Sequence, residues 1–175
     1  IDVIQPEKIE FKQNSYEDGE NSIISFPEFL LLVLDVCTGG EQPASHYQPD
    51  KLIEKFDALK TYFTAGEFYE KMLYYRLLLD YYTIRRDIKD GQGNYSLILK
   101  GPKDDSDKLK QYQSMLYVST EAFYNWLKPY LRKLEQDELH SCAEMLAFLK
   151  KGDNERHSIL PARKDLSYKA SGNIR

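Results

Sequence analysis

The chain has 175 residues, a formal charge of −4, 42% hydrophobic residues and 30% charged ones, which bounds it to one globular domain. Its longest apolar run, FLLLVL (29–34), falls far short of the about 20 residues needed to cross a bilayer. Asp2, Glu7 and Glu10 stand where a secretory signal would carry basic residues, so a cytoplasmic protein is expected. Cys37 and Cys142 are too few for a disulfide framework or a metal site of their own, and both are expected as reduced core residues.

Residues 1–50 hold ten acids and two bases, against eighteen acids and twenty-two bases in 51–175. Residues 1–24 are expected as an acidic connector. Ser25-Phe26-Pro27-Glu28 fits a capping box, with Pro27 in the first turn where its missing donor costs nothing. The helix FPEFLLLVLDVC that follows is apolar almost all round and should lie centrally, stopping at Gly39-Gly40. After a loop over 41–49, Asp50 is placed to cap KLIEKFDALKTYF, whose stripe is Leu52, Ile53, Phe56, Leu59 and Phe63.

Thr64-Ala65-Gly66-Glu67 is a second capping box, opening FYEKMLYYRLLLDYYTIRRD (68–87). Phe68, Met72, Tyr75, Leu79 and Tyr82 form one apolar face of that helix, and Tyr69, Leu73, Leu77 and Ile84 form another. A helix apolar on two faces is expected to be central. Arg76 and Asp80, at i and i+4, are then a buried structural ion pair. Two glycines in DIKDGQGN (87–94) end the helix, and YSLILK (95–100) suits a short strand and an extended connector alike.

Turn chemistry at 101–107 precedes a helix over about 107–118. Ser119 or Thr120 is placed to cap FYNWLKPYLRKLE, which Pro129 should kink. ELHSCAEMLAFLKK is the last helix, ending at Gly152, with a loose connector over 153–175. The fold class expected is therefore all-α: an irregular bundle of five to six helices over residues 25–152.

No catalytic, cofactor-binding or metal-binding residue is expected. His46, His140 and His157 lie far apart, and His140 and Cys142 would point to different sides of a helix. Neither a GxxxxGK phosphate loop nor a GxGxxG turn occurs. Two basic clusters are candidates for touching DNA phosphates: Arg85, Arg86 and Lys89 at one helix end, and Lys128, Arg132 and Lys133 on another helix. With an acidic chain behind them, weak and non-specific binding is expected.

Three segments taken together carry a resemblance: NSIISFPEFLLLVLDV (21–36), DKLIEKFDAL (50–59) and FYEKMLYYRLLLDYYTIRRD (68–87). Their order resembles the helical region of the GmrSD-type restriction proteins. Phe26, Pro27, Phe29, Leu30 and Leu31 match that family's Phe-Pro-x-Phe-Leu-Leu helix start, and Arg76, Asp80 and Tyr81 match its later signature. QSMLYVSTEAFYNWL (113–127), with Trp126, resembles its next helical pair, so the likeness spans residues 21–150.

In that family a ParB/sulfiredoxin-like nucleotide-hydrolysing domain precedes the helices and an HNH nuclease domain follows them. The resemblance implies a fragment of a nucleotide-dependent, DNA-targeting restriction protein with neither catalytic half. DGQGN (90–94) copies only the first three letters of the family's Asp-Gly-Gln-Gln-Arg motif, and the nuclease's Glu-His-Ile segment is missing. The implied role is a non-catalytic coupling module for phage defence. It has no cofactor of its own, its partners are the two neighbouring domains and DNA, and a homodimer is allowed. An independent helical protein–protein interaction domain is the alternative.

Overall fold

Ser25 opens the first helix as its spacing requires: its hydroxyl accepts from the Glu28 amide, and Glu28 Oε2 accepts from the Ser25 amide at 2.7 Å. The computed structural model describes residues 19–88, 94–103, 106–119 and 122–159. In chain order these form β1 (Gly19–Ser22), α1 (Phe26–Cys37), two short 3-10 turns (Ala44–Tyr47 and Pro49–Lys51), α2 (Leu52–Leu59), α3 (Ala65–Tyr82), β2 (Ile84–Ile88), β3 (Tyr95–Leu99), α4 (Ser106–Val118), α5 (Phe123–Glu135) and α6 (Cys142–Ile159).

The all-α expectation needs one correction. The fold is mostly helical, but β1, β2 and β3 form an antiparallel sheet in that order, with Ser22 opposite Arg85 and Ile84 opposite Leu99. The helix expected to run to Asp87 stops at Tyr82, where Thr83 turns extended and its hydroxyl donates to Leu79 O at 2.6 Å. Gln113 of α4 replaces the lost helical bonds, accepting from Ile84 N at 2.9 Å and donating to Tyr82 O at 3.0 Å. β-branched Thr83 and Ile84 favour extended backbone once those groups are satisfied.

Helix α1 is the hub. Leu31, Leu32, Val33 and Leu34 are fully buried, each contributing about 1.5–3 kcal/mol by burial. It packs on α2 and α3, α5 packs on α3 and α6, and α4 joins α6 to the sheet. Gly39 and Gly40 end α1 with positive φ, and a Cβ on Gly40 would strike the Arg132 guanidinium.

Three more boundaries differ from expectation. Asp50 makes no cap, because a 3-10 turn precedes α2, which is only eight residues long. Ile53 of its predicted stripe is 74% exposed, while Phe56, Phe63 and Phe68 form a ring cluster with centroids 5.0–5.8 Å apart. The candidate cap Thr120 lies outside the described residues, and α5 starts after Ala122 without a side-chain cap. Helix α6 continues through Gly152 to Ile159, held by bonds from Tyr112 to Asp153 and from Arg156 to Asn125 O. Residues 160–175 lie outside the described residues.

Candidate functional site

Helix α3 begins at its capping box, where Thr64 and Glu67 exchange bonds, and this fixes which way its two apolar faces turn. Tyr75 and Leu79 are buried, with Phe68, Met72 and Tyr82 packed against the core. Tyr75 and Lys71 both donate to the Glu135 carboxylate, fastening α3 to α5. Burial, and next the bond to Glu135, pushes the Tyr75 hydroxyl far above the ordinary tyrosine range.

The second face is open. Tyr69, Leu73, Tyr74, Leu77 and Tyr81 are five of the eleven exposed large apolar side chains among the described residues, and Leu77 is 68% exposed. The expectation that both faces are buried is therefore corrected for Tyr69, Leu73 and Leu77, while Ile84, the fourth residue of that face, is fully buried but on β2. Tyr69, Leu73, Leu77 and Tyr81 step by four residues and make one continuous ridge, the kind of row a second helix packs against. Exposed apolar rows of this length on one element mark interaction surfaces.

Arg76 and Asp80 border that ridge. Arg76 Nε donates to Asp80 Oδ2 at 2.8 Å, but the two side chains are 38% and 29% exposed, so the pair is not buried as expected. A third member was not foreseen: Arg85 Nη1 lies 3.7 Å from Asp80 Oδ1, and the Arg85 side chain is only 10% exposed. The signal for it would have been the strand, which brings Arg85 back over the end of α3.

The basic residues singled out from the sequence do not form two surface clusters. Arg85 is buried beside Asp80, and Arg86 donates to Ser22 O through Nε and Nη2 at 3.1 and 2.8 Å. Lys89 lies outside the described residues. Lys128 Nζ donates to Asp35 Oδ2 at 2.9 Å and Gly40 O at 3.2 Å, Arg132 Nη1 reaches Gly40 O, and Lys133 pairs with Glu138 at 2.5 Å. Each described member thus spends its charge within the chain.

Asp35 is the centre of the buried polar network. It is fully buried on α1 and also accepts from the Tyr47 hydroxyl and, at 2.9 Å, the Gln42 amide. Burial first, and then the Asp35 carboxylate, drives the Tyr47 hydroxyl far above its usual value. Next to it, His46 Nε2 donates to Leu31 O at 2.9 Å, while its buried Nδ1 has no hydrogen-bond partner. This network pins the loop between α1 and α2 to α5; such fully satisfied buried charges are structural in effect.

Nothing in these groups is arranged as a nucleophile with its base. Ser141 and Glu144 instead form a capping arrangement at the start of α6, a Ser-x-x-Glu signal present in the sequence. The side chain of His140 is exposed, Cys142 is buried, and burial raises the Cys37 thiol. An open groove of about 630 Å³ between α5 and α6 has Trp126, Pro129, Leu139 and Phe148 along it, with charges of both signs at its rim. Among the described residues no group of three metal-ligating side chains converges, and no helix is long and apolar enough to cross a membrane. Comparison with family models, curated proteins and solved structures returns no match.

Proposed function

We propose that this chain is a non-catalytic helical coupling module of a GmrSD-like, nucleotide-dependent, DNA-targeting restriction protein. The observation that carries the reading is the open α3 ridge: an otherwise well-packed helical body presents a row of tyrosine and leucine that another body is built to cover. The Phe26-Pro27 helix start and the Arg76–Asp80–Tyr81 pattern are what support the family reading. Nucleotide hydrolysis and DNA cleavage then belong to the neighbouring domains, and this chain's own contact with DNA is weak and non-specific.

The same ridge serves the second reading, an independent helical interaction domain. The full reading frame separates the two. The coupling reading expects Asp-Gly-Gln-Gln-Arg upstream and a His-Asn-His nuclease downstream. It also expects Leu77→Lys in the parent to depress DNA cleavage while nucleotide hydrolysis persists. A frame lacking both flanking domains would overturn the coupling reading in favour of the interaction domain.

A further inference from the structure

We infer that the segment 41–50 is an acid-released latch: protonation of His46 frees it from α1 and α5 while the helical core stays folded. The latch belongs to this chain alone and works with or without flanking domains. Of its ten residues only His46 and Tyr47 are buried, and seven of the others are exposed. Its hold on the body is therefore concentrated in those two side chains and in Gln42. The Gln42 amide donates to Asp35 Oδ1 at 2.9 Å, and its side chain donates to the Thr38 hydroxyl at 3.4 Å.

His46 is the anchor that a proton can undo. It is 1% exposed, and its Nε2 gives the one proton of the neutral ring to Leu31 O at 2.9 Å. Nδ1 is buried and has no hydrogen-bond partner. A second proton would make a buried cation there with nothing to accept from it, which the closed site disfavours. Lys128 from α5 and Lys55 from α2 oppose a positive charge on the ring, while Asp35 from α1 favours one. The Asp35 carboxylate is already held by Lys128, the Tyr47 hydroxyl and the Gln42 amide. Tyr47 itself meets the His46 ring edge-on at 5.1 Å and offers it no acceptor. In water the same imidazole takes its proton near the ordinary value of about 6.5, so acid favours the released segment.

Release does not require α1 or α5 to unravel. Gly39 and Gly40 hold positive φ, and Lys128 and Arg132 both reach Gly40 O, so the chain is fixed up to that point and swings beyond it. Asp35 loses Tyr47 and Gln42 on release but keeps Lys128, so the buried carboxylate retains its counter-charge. At the far end the 3-10 turn Pro49–Lys51 leads into α2, which has no buried residue of its own to hold it. Tyr47 leaves its stack on Tyr124, at 4.5 Å, and its edge contact with Phe123, which uncovers an aromatic face of α5 in acid.

Amide hydrogen exchange on the 175-residue chain tests this, read as protection factors so that the pH dependence of exchange itself cancels. A proton taken up only in the released form, by an ordinary histidine, makes release about tenfold more frequent at about pH 5.5 than at about pH 7.5. The Gln42 and His46 amides, bonded to Asp35 Oδ1 and Pro43 O, should lose protection by that factor, with the amides of α1 and α5 unchanged. His46→Gln keeps a donor for Leu31 O but does not titrate, and its protection should stay constant. In wild type, without any variant, the His46 ring followed by NMR should resist protonation below the ordinary histidine value. Constant protection in wild type, or a ring that titrates normally while the Gln42 and His46 amides stay protected, would overturn the latch. An equal loss in His46→Gln would do the same by placing the proton on another group, and a loss shared evenly by α1 and α5 would make the event global unfolding.

Discussion

Asp80 serves two arginines, one wet and one dry, and the difference sets what each mutation costs. Arg76 is more than a third exposed, and an i,i+4 pair in that setting is worth about 0.5 kcal/mol or less. Arg85 is nearly buried, and Asp80 lies in the last turn of α3, where a negative charge is disfavoured unless cations hold it. In dilute solution Arg76→Ala should therefore melt almost like wild type. Asp80→Ala should lose about 1–3 kcal/mol, the cost of leaving a buried charged group under-satisfied. Equal losses in denaturant titrations of the two variants would refute the asymmetry. His46 gives the second test at this scale. Burial lowers its pKa below the usual histidine value, opposed by the Leu31 carbonyl and Asp35, while Lys55 and Lys128 add to the lowering. A base with a depressed folded pKa binds its proton more readily when unfolded. Stability is then fully present above the ordinary value of about 6.5 and drains away as pH falls from there towards the folded pKa. His46→Gln can still donate to Leu31 O but does not titrate. Melting temperatures between about pH 7 and pH 5 should fall less steeply for that variant, and parallel curves would exclude His46 as the source.

The turn from α3 into β2 depends on side chains from elsewhere in the chain, chiefly Gln113, with the Tyr130 hydroxyl also donating to Tyr82 O at 3.2 Å. Gln113 is fully buried and bridges Tyr82 O and Ile84 N, the two groups freed where helix becomes strand. Gln113→Leu keeps much of the volume and removes both bonds, at about 1–3 kcal/mol for the Ile84 amide left unsatisfied, while Tyr82 O still accepts from the Tyr130 hydroxyl. Hydrogen exchange should show the loss first at Ile84 and its neighbours in β2, with α1 still protected; uniform loss everywhere would mean the bridge is not local. This dependence explains what could be read from the sequence. The boxes at Ser25–Glu28 and Thr64–Glu67 close within four residues, so α1 and the start of α3 were legible, as was the Gly39-Gly40 stop. The end of α3 and the run of α6 past Gly152 were not. Their partners, Gln113 and Asn125, lie about thirty residues away in sequence. On α3 the second apolar face was visible as a pattern, but periodicity gives the same signal for a face turned to the core and one left exposed.

At the scale of the whole molecule the sheet is an attachment to a helical core. The buried cluster is drawn from α1, α3, α4, α5 and α6, with Ile23, Ile24, Tyr47 and Ile84, while α2 contributes no buried residue. Strand β1 bonds along β2, and Ser22 O receives the Arg86 guanidinium, but the core side chains nearest it, Ile23 and Ile24, follow the strand. Removing β1 (Gly19–Ser22) therefore takes away an edge strand and leaves the apolar cluster and the Ser25 cap in place. The remaining β2–β3 pair would be marginal alone, but it keeps its packing on α4. The loss should be on the order of 2 kcal/mol, a few net hydrogen bonds, against the about 5–15 kcal/mol that holds a domain of this size. The shortened chain should keep its helical circular dichroism and unfold in one cooperative step at a lower temperature. A broad, non-cooperative melt, or loss of the helical signal, would show that the sheet organises the core instead of leaning on it.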